Sequence, residues 1–388
     1  MMDRTFFDTG IRRQDTACEK WDDRQVLPDG AVAMWVADMD FPCAQPIQDA
    51  ILQRAKHNCF GYTMVEDADL RAICDFVLRR HQLAITPDQT AMLPCVVSGL
   101  RYCVRALTKP GERVAVMTPV YGPFYRSIEE NGRVVAPCAL KKDANARYDI
   151  DFERLEELLK DGVRLVLACS PHNPVSRVWS REELQTLLTL TRRYHAALVV
   201  DEIHAEFVFA PSTFTPILAL TDEKDDVISL MSASKTFNIA GLQQATLITK
   251  NPALLEAMKE ALNAGGATCG NIFALTATRA AYEQCDDWLD GLLSYLADNI
   301  AILKNELKRL LPKAVLTPIE ATYLAWIDLR AYVPNTEAAL KKCLDHGVAF
   351  TGGTFFGAEG DGFVRLNFGC PAAQLKEGVR RLADAMNE

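Results

Sequence analysis

The sequence predicts an α/β protein with a mainly parallel central sheet, and three observations carry that prediction. Strand-like apolar runs near residues 92, 114, 165, 198, 228 and 245 alternate with helical patterns. Small, polar or ionisable residues follow the carboxyl ends of these runs, where open α/β sheets place ligand-contacting groups. A long periodic stretch from Asp286 to Leu311, with Trp288, Leu292, Leu296, Leu303 and Leu307 on one face, then leads to a C-terminal region with its own strand-like segment from Phe363 to Phe368.

Taken in order, Met92 to Val97 leads into Ser98, Gly99 and Leu100, which open a helix whose Leu100, Cys103, Val104 and Leu107 recur at i, i+3, i+4 and i+7. A small-residue turn feeding a helix N-terminus suits an anion, because free backbone N–H groups and the helix dipole face it together. Arg113 to Met117 leads into Thr118, Pro119, Val120 and Tyr121, which offers an aromatic face. Leu165 to Cys169 leads into Ser170, Pro171, His172, Asn173 and Pro174, where the Asn173 amide is placed to donate to an oxygen. Ser180 and Glu183 form a capping box before a helix with Leu184, Leu187 and Leu188 on one face, so Ser180 is assigned to structure.

The run from Ala197 ends in Asp201, with His204 three positions on, and Val227 to Met231 leads into Ser232, Ala233, Ser234 and Lys235. A lysine half-buried beside a binding site loses its proton readily and forms a Schiff base with an aldehyde. An acid nearby keeps a pyridine nitrogen protonated and so makes the ring an electron sink. Lys235 and Asp201 are therefore the pair that pyridoxal phosphate chemistry needs.

These residues, with the stretch from Trp35 to Phe41, Gly61-Tyr62-Thr63, and Val364 to Pro371, resemble in order and spacing the fold-type I pyridoxal phosphate enzymes of the aspartate aminotransferase superfamily. Within it the chain is most similar to the MalY/PatB-type cystathionine β-lyases, or carbon-sulfur lyases. The resemblance runs from about Trp35 to the C-terminus and implies a large cofactor domain over 46–285 with a smaller α/β domain built from 1–45 and 286–388. It implies Lys235 as catalytic lysine, and Ser98, Gly99, Leu100, Tyr121, Asn173, Asp201, His204, Ser232, Ser234 and a second subunit's Tyr62 as the cofactor site. It also implies Arg365 as the clamp for an α-carboxylate, with Ala37, Tyr121 and Asn173 beside the substrate. A planar guanidinium matches a carboxylate with two parallel hydrogen bonds.

Two departures separate the chain from the aminotransferase pattern. Gln243 stands where those enzymes commonly carry an arginine eight residues after the lysine, and His204 stands where many carry a tyrosine. The implied activity is α,β-elimination from L-cystathionine, L-cysteine or a cysteine S-conjugate, giving thiol, pyruvate and ammonia in a homodimer with shared active sites. The alternatives are an aminotransferase, and a regulatory protein-binding role alongside or instead of catalysis. Ser176, where the Asn-Pro motif usually runs on to glycine, leaves that turn's geometry open.

Composition restricts the remaining classes. The 388 residues suffice for one large core and a smaller domain, and a formal charge of −9 without a basic stretch argues against general nucleic-acid binding. No apolar run approaches the roughly 18 residues of a membrane span, and the start lacks a signal-peptide pattern, so a cytoplasmic location is expected. The 12 cysteines include no Cys-x-x-Cys pair and the 6 histidines no His-Glu-x-x-His spacing, so free buried thiols and no metal are expected. Cys370 is read as a packing residue.

Overall fold

The computed structural model of the protein describes residues 4–267 and 270–388. Its large sheet has seven strands, β1 (Thr90–Leu93), β2 (Arg113–Thr118), β3 (Val134–Ala139), β4 (Leu165–Cys169), β5 (Ala197–Asp201), β6 (Val227–Met231) and β7 (Ala245–Ile248). The spatial order is β1-β7-β6-β5-β4-β2-β3. β7 is antiparallel to both of its neighbours, and the other pairs are parallel. Six strands therefore share one direction, and their carboxyl ends share one edge.

Alternation along the strands explains why both faces are covered. Val114, Val116, Leu165, Leu167, Val199, Ile228 and Leu230 pack into one core with the helices Val96–Leu107 and Pro252–Ala264. Their neighbours Ala115, Met117, Val166, Ala168, Leu198 and Val200 face the other core, which continues through the helix Asp286–Leu310. Successive strand side chains point to opposite faces, so a sheet buried on both reads as the continuous apolar runs seen in the sequence. Pro137 sits in β3, at the sheet edge, where a missing N–H costs no ladder bond.

The helix Asp286–Leu310 spans 25 residues, about 38 Å at 1.5 Å per residue. It leads to a four-stranded sheet of β8 (Val315–Leu316), β9 (Leu324–Asp328), β10 (Thr351–Gly352) and β11 (Phe363–Asn367), in the order β8-β9-β11-β10. The N-terminal segment joins this region, Val32–Ala33 pairing in parallel with Val348–Ala349. No helix among the described residues is long and apolar enough to cross a membrane.

Two sequence expectations need correction. The first strand stops at Leu93, and the following helix begins at Val96, two residues before Ser98. Pro94 ends the strand, and Cys95 caps the helix through its Sγ, which accepts from the Ser98 N–H. The cysteines are only partly buried as a class: Cys18, Cys43 and Cys95 are half-buried and Cys59 is exposed, while Cys74, Cys103, Cys138, Cys169, Cys285, Cys343 and Cys370 are buried. Cys269 lies outside the described residues.

Candidate active site

Asp201 is the last residue of β5, and its carboxylate is buried with one hydrogen-bond donor, the backbone N–H of Ile203 at 3.0 Å. Burial lifts its pKa from 3.8 to about 7, against the pull of that N–H and of Lys235. A buried acid with no paired cation is costly unless a positive or N–H-bearing group is brought to it. Lys235 lies in the short helix Ala233–Thr236 after β6, and its Nζ donates to the Ala37 carbonyl at 2.6 Å. Burial is the largest influence on this amine and lowers its pKa, with Asp38 opposing and Arg365 adding to the fall.

Arg365 sits in the middle of β11 and is buried. Its guanidinium donates to the Trp35 carbonyl at 2.9 Å, and to Asn173 Oδ1 and Thr351 Oγ1 at 3.3 Å each, while Nε has no partner among the described residues. It lies 4.9 Å from the Phe356 ring centroid and, among the described residues, faces no carboxylate, and burial pulls its pKa down to about 10. His204 is buried with Nδ1 unpartnered, and burial, then Lys235 and Arg365, hold it down to about 3, so its imidazole is neutral. An unpaired acid, an amine and an unpaired guanidinium are thus the open valences of the site. They fit an amino-acid carboxylate on Arg365 and a protonated ring nitrogen on Asp201.

The segment Trp35 to Phe41 is the strap that joins these groups. The carbonyls of Trp35 and Ala37, two residues apart, hold Arg365 and Lys235 respectively. Two consecutive Cα steps span at most about 7 Å, so the guanidinium and amine meet the same short stretch of backbone. Asn238 fixes the strap by accepting from the Met39 N–H and donating to the carbonyls of Met39 and Phe41, at 2.8 to 2.9 Å. Asn367 donates to the carbonyls of Val36 and Asp38, and Tyr323 Oη donates to Ala37 at 2.9 Å. Beneath it, Lys20 is fully buried and donates to Asp40 at 2.8 Å, while Arg13 clamps Asp38 at 2.6 and 2.7 Å.

The other expected residues fall as follows. Tyr121 follows β2, half-buried, with the Phe355 ring 5.8 Å away, and Asn173 is buried after β4. Ser232 caps the lysine helix by accepting from the Ser234 N–H, and lies 2.6 Å from the Gln244 carbonyl. Ser98 is spent inside its own helix end, donating to the Cys95 carbonyl at 2.7 Å, and the Gly99 N–H bonds the same carbonyl at 3.1 Å. Leu100 is a core side chain. Gly99 has a packing reason, since a Cβ there would lie 2.7 Å from Leu93 Cδ1 and 3.1 Å from Leu230 Cδ2. Tyr62 is fully exposed and lies in a surface groove with Arg54, Glu66 and Arg279 that Lys235 does not line. Ser176 takes the left-handed φ of 56° that its motif usually gives to glycine, and its Oγ donates to the Leu324 carbonyl at 2.7 Å.

Asn238, Asn367, Tyr323 and Thr351 were not singled out by sequence reasoning. Two of them carried a signal, Asn238 lying three residues after Lys235 and Asn367 two after Arg365 inside matched motifs.

A parallel-sheet edge that presents a half-buried lysine and a buried acid, faced by a buried guanidinium from the four-stranded sheet, is the site of an α/β enzyme. The chain belongs to the aminotransferase class I and II family, whose model matches residues 36–382. It is 38% identical to cystathionine beta-lyase PatB of Bacillus subtilis (strain 168), over 98% of this chain and 100% of that protein. Protein MalY of Escherichia coli (strain K12) is 35% identical over 98% of each chain. Among solved structures, cystalysin from Treponema denticola, which contains a pyridoxal 5'-phosphate cofactor, superposes with a TM-score of 0.94 at 31% identity and 98% coverage of both chains.

Proposed function

We propose that this chain is a pyridoxal phosphate-dependent carbon-sulfur β-lyase that cleaves L-cystathionine, L-cysteine or cysteine S-conjugates. The observation that carries the reading is the pair of buried charged groups without an ion-pair partner among the described residues, Asp201 and Arg365, beside Lys235. Full-length relatives that bear the name cystathionine beta-lyase, with Gln243 and His204 in place of the aminotransferase residues, favour elimination over amino-group transfer.

Asp201 would pair with the cofactor's ring nitrogen, Tyr121 would cover the ring, Asn173 and His204 would lie near its oxygen, and Ser232 and Ser234 would serve the phosphate with the N-terminus of the helix Val96–Leu107 and Tyr62 of a second copy, Ser98 and the Gly99 N–H being engaged with Cys95. When bound, pyridoxal phosphate supplies an aldehyde carbon for the substrate nitrogen and a ring that takes up the electron pair left at Cα. Arg365 holds the α-carboxylate and fixes which Cα bond faces the ring. Lys235, its basicity reduced by burial, takes the Cα proton. The Cβ–S bond then breaks with its electron pair on sulfur, and the thiolate leaves as thiol after accepting a proton. The 2-aminoacrylate released takes up water to give pyruvate and ammonia.

The reading includes a homodimer with shared sites, a cytoplasmic location, and a division into 46–285 against 1–45 with 286–388. Exposed Phe60, Tyr62 and Met64 on one segment support the dimer. The test is to supply L-cystathionine, and separately an amino acid with a keto acid, to the cofactor-loaded protein. Pyruvate and thiol without amino-group exchange support the lyase, and exchange without thiol makes the chain an aminotransferase.

A further inference from the structure

One backbone oxygen beside the lysine receives two side-chain donors. The Ala37 carbonyl accepts from Lys235 Nζ at 2.6 Å and from Tyr323 Oη at 2.9 Å. A carbonyl has two lone pairs and can hold both, but each donor then meets an oxygen whose electron density is already drawn toward the other. The donated hydrogens carry partial positive charge and converge on one point, so the phenol's O–H opposes the addition of a proton to the Lys235 amine.

Tyr323 is held so that it cannot swing away. It stands one residue before β9 and is fully buried. Its carbonyl accepts from the Phe368 N–H at 2.9 Å, and the Thr322 N–H before it bonds the Phe207 carbonyl at 2.7 Å. The ring packs edge-on against Phe207 at 4.8 Å and His204 at 6.1 Å, and a Cβ on Gly369 would fall 3.2 Å from its Cδ2. Burial pushes its pKa up, so it stays a neutral phenol with one hydrogen to give. Nor does the carbonyl need the phenol to aim it. Asn367 Nδ2 donates to the carbonyls on either side, those of Val36 and Asp38, at 2.5 and 2.7 Å, which sets the strap without Tyr323. Burial is the largest influence on the amine, and the charges that reach it are Asp38 of the strap, Arg365 of β11, Asp201 of β5 and Glu19 of the helix Glu19–Asp22, while His204 is neutral. A change at Tyr323 leaves all of these in place.

We propose that Tyr323 is a positioning residue for Lys235, one that favours the unprotonated amine by donating to the same Ala37 carbonyl. This rests on the lyase reading, in which only a free amine takes the Cα proton, and deepens it by giving the base a partner that acts through one backbone oxygen. Without the phenol, the carbonyl serves the lysine alone and the ammonium gains a stronger acceptor.

The test compares the wild type with Tyr323→Phe, which keeps the ring and removes the hydroxyl, and with Phe207→Leu, which loosens the packing and keeps the hydroxyl. In the cofactor-free proteins, the pH dependence of Lys235 acetylation by acetic anhydride is read on its peptide by mass spectrometry, since only the free amine reacts. Tyr323→Phe should move the midpoint to higher pH, so that below it the rate falls about three- to tenfold, the worth of one neutral hydrogen bond. Phe207→Leu should leave the midpoint in place. In the cofactor-loaded proteins, the acid limb of kcat for pyruvate release from L-cystathionine should move to higher pH in Tyr323→Phe alone. A midpoint unmoved or lowered in Tyr323→Phe, or raised equally in Phe207→Leu as a wetter site would give, would overturn the role of the phenol. A raised midpoint in Tyr323→Phe alone, with no pyruvate from the loaded wild type, would uphold the phenol's hold on the amine and overturn only the lyase reading.

Discussion

Replacing Asp201 with asparagine should stabilise the cofactor-free protein while disabling the loaded one, and the size of the first effect follows from the site. The carboxyl is buried with one N–H donor and is lifted from 3.8 to about 7 chiefly by burial. Its folded pKa exceeds its unfolded one, so the native state binds more protons between these two values, and stability falls as pH rises through that window. At about 1.36 kcal/mol per pKa unit, the ionised acid costs the cofactor-free fold about 4 kcal/mol at pH 8 and about 1.7 kcal/mol at pH 5. The substituted amide does not titrate, so the stability gained by Asp201→Asn over wild type should grow by about 2 to 3 kcal/mol from pH 5 to pH 8. Glu202, also buried and lifted to about 7 mainly by burial, is present in both proteins, and the Asp201 charge is only the smallest of the influences on it, so it adds little to the difference. Urea unfolding of the stripped proteins at the two pH values reads the quantity directly. A difference independent of pH, or a variant less stable than wild type at pH 8, would refute the argument. In the cofactor-loaded enzyme the same substitution removes the partner of the ring nitrogen, and turnover should fall by roughly 10²- to 10³-fold.

Other perturbations test other parts of the site. Arg365→Lys keeps the charge but loses the planar fork, and should raise KM for cysteine S-conjugates about tenfold or more with a smaller change in kcat, measured by steady-state pyruvate release. Asn238→Ala removes the side chain that holds Met39 and Phe41, leaves their backbone groups short of a partner, and should cost about 2 kcal/mol in chemical unfolding. Leu303→Ala in the long helix opens a void in the main core and should cost about 2–5 kcal/mol in the same assay. Mixing a Tyr62→Ala protein with a Lys235→Ala protein should restore activity through hybrid dimers carrying one intact site, and no recovery after subunit exchange would count against a shared site.

Much of the fold was legible because buried parallel strands announce themselves as unbroken apolar runs. β4, β5 and β6 fall where Leu165 to Cys169, Ala197 to Asp201 and Val227 to Met231 placed them, and the capping box at Ser180 forms with Glu183. The helix after β1 was misplaced because its cap is a cysteine, a residue with no strong N-cap preference, and its apolar start reads like a continued strand. Edge strand β3 leaves no unbroken apolar run, because its exposed and buried residues alternate around Pro137. Within the site, Lys235, Asp201 and Arg365 were legible because each belongs to an apolar strand or follows one directly. The strap's fastenings were not. Asn238, Asn367 and Tyr323 act on backbone carbonyls some 197 to 331 residues away, and a side chain's partner at that separation leaves no local pattern. The fully buried Lys20 was hidden as well, its partner Asp40 lying 20 residues on, within the strap.

The most direct test of the central claim is the stoichiometry of thiol and pyruvate released from L-cystathionine by the cofactor-loaded wild type, run beside Lys235→Ala. The account predicts one thiol and one pyruvate per substrate consumed by the wild type, and neither from the variant although it still takes up cofactor. Thiol and pyruvate release that survives in Lys235→Ala, or consumption of the amino acid by the wild type without thiol, would contradict it.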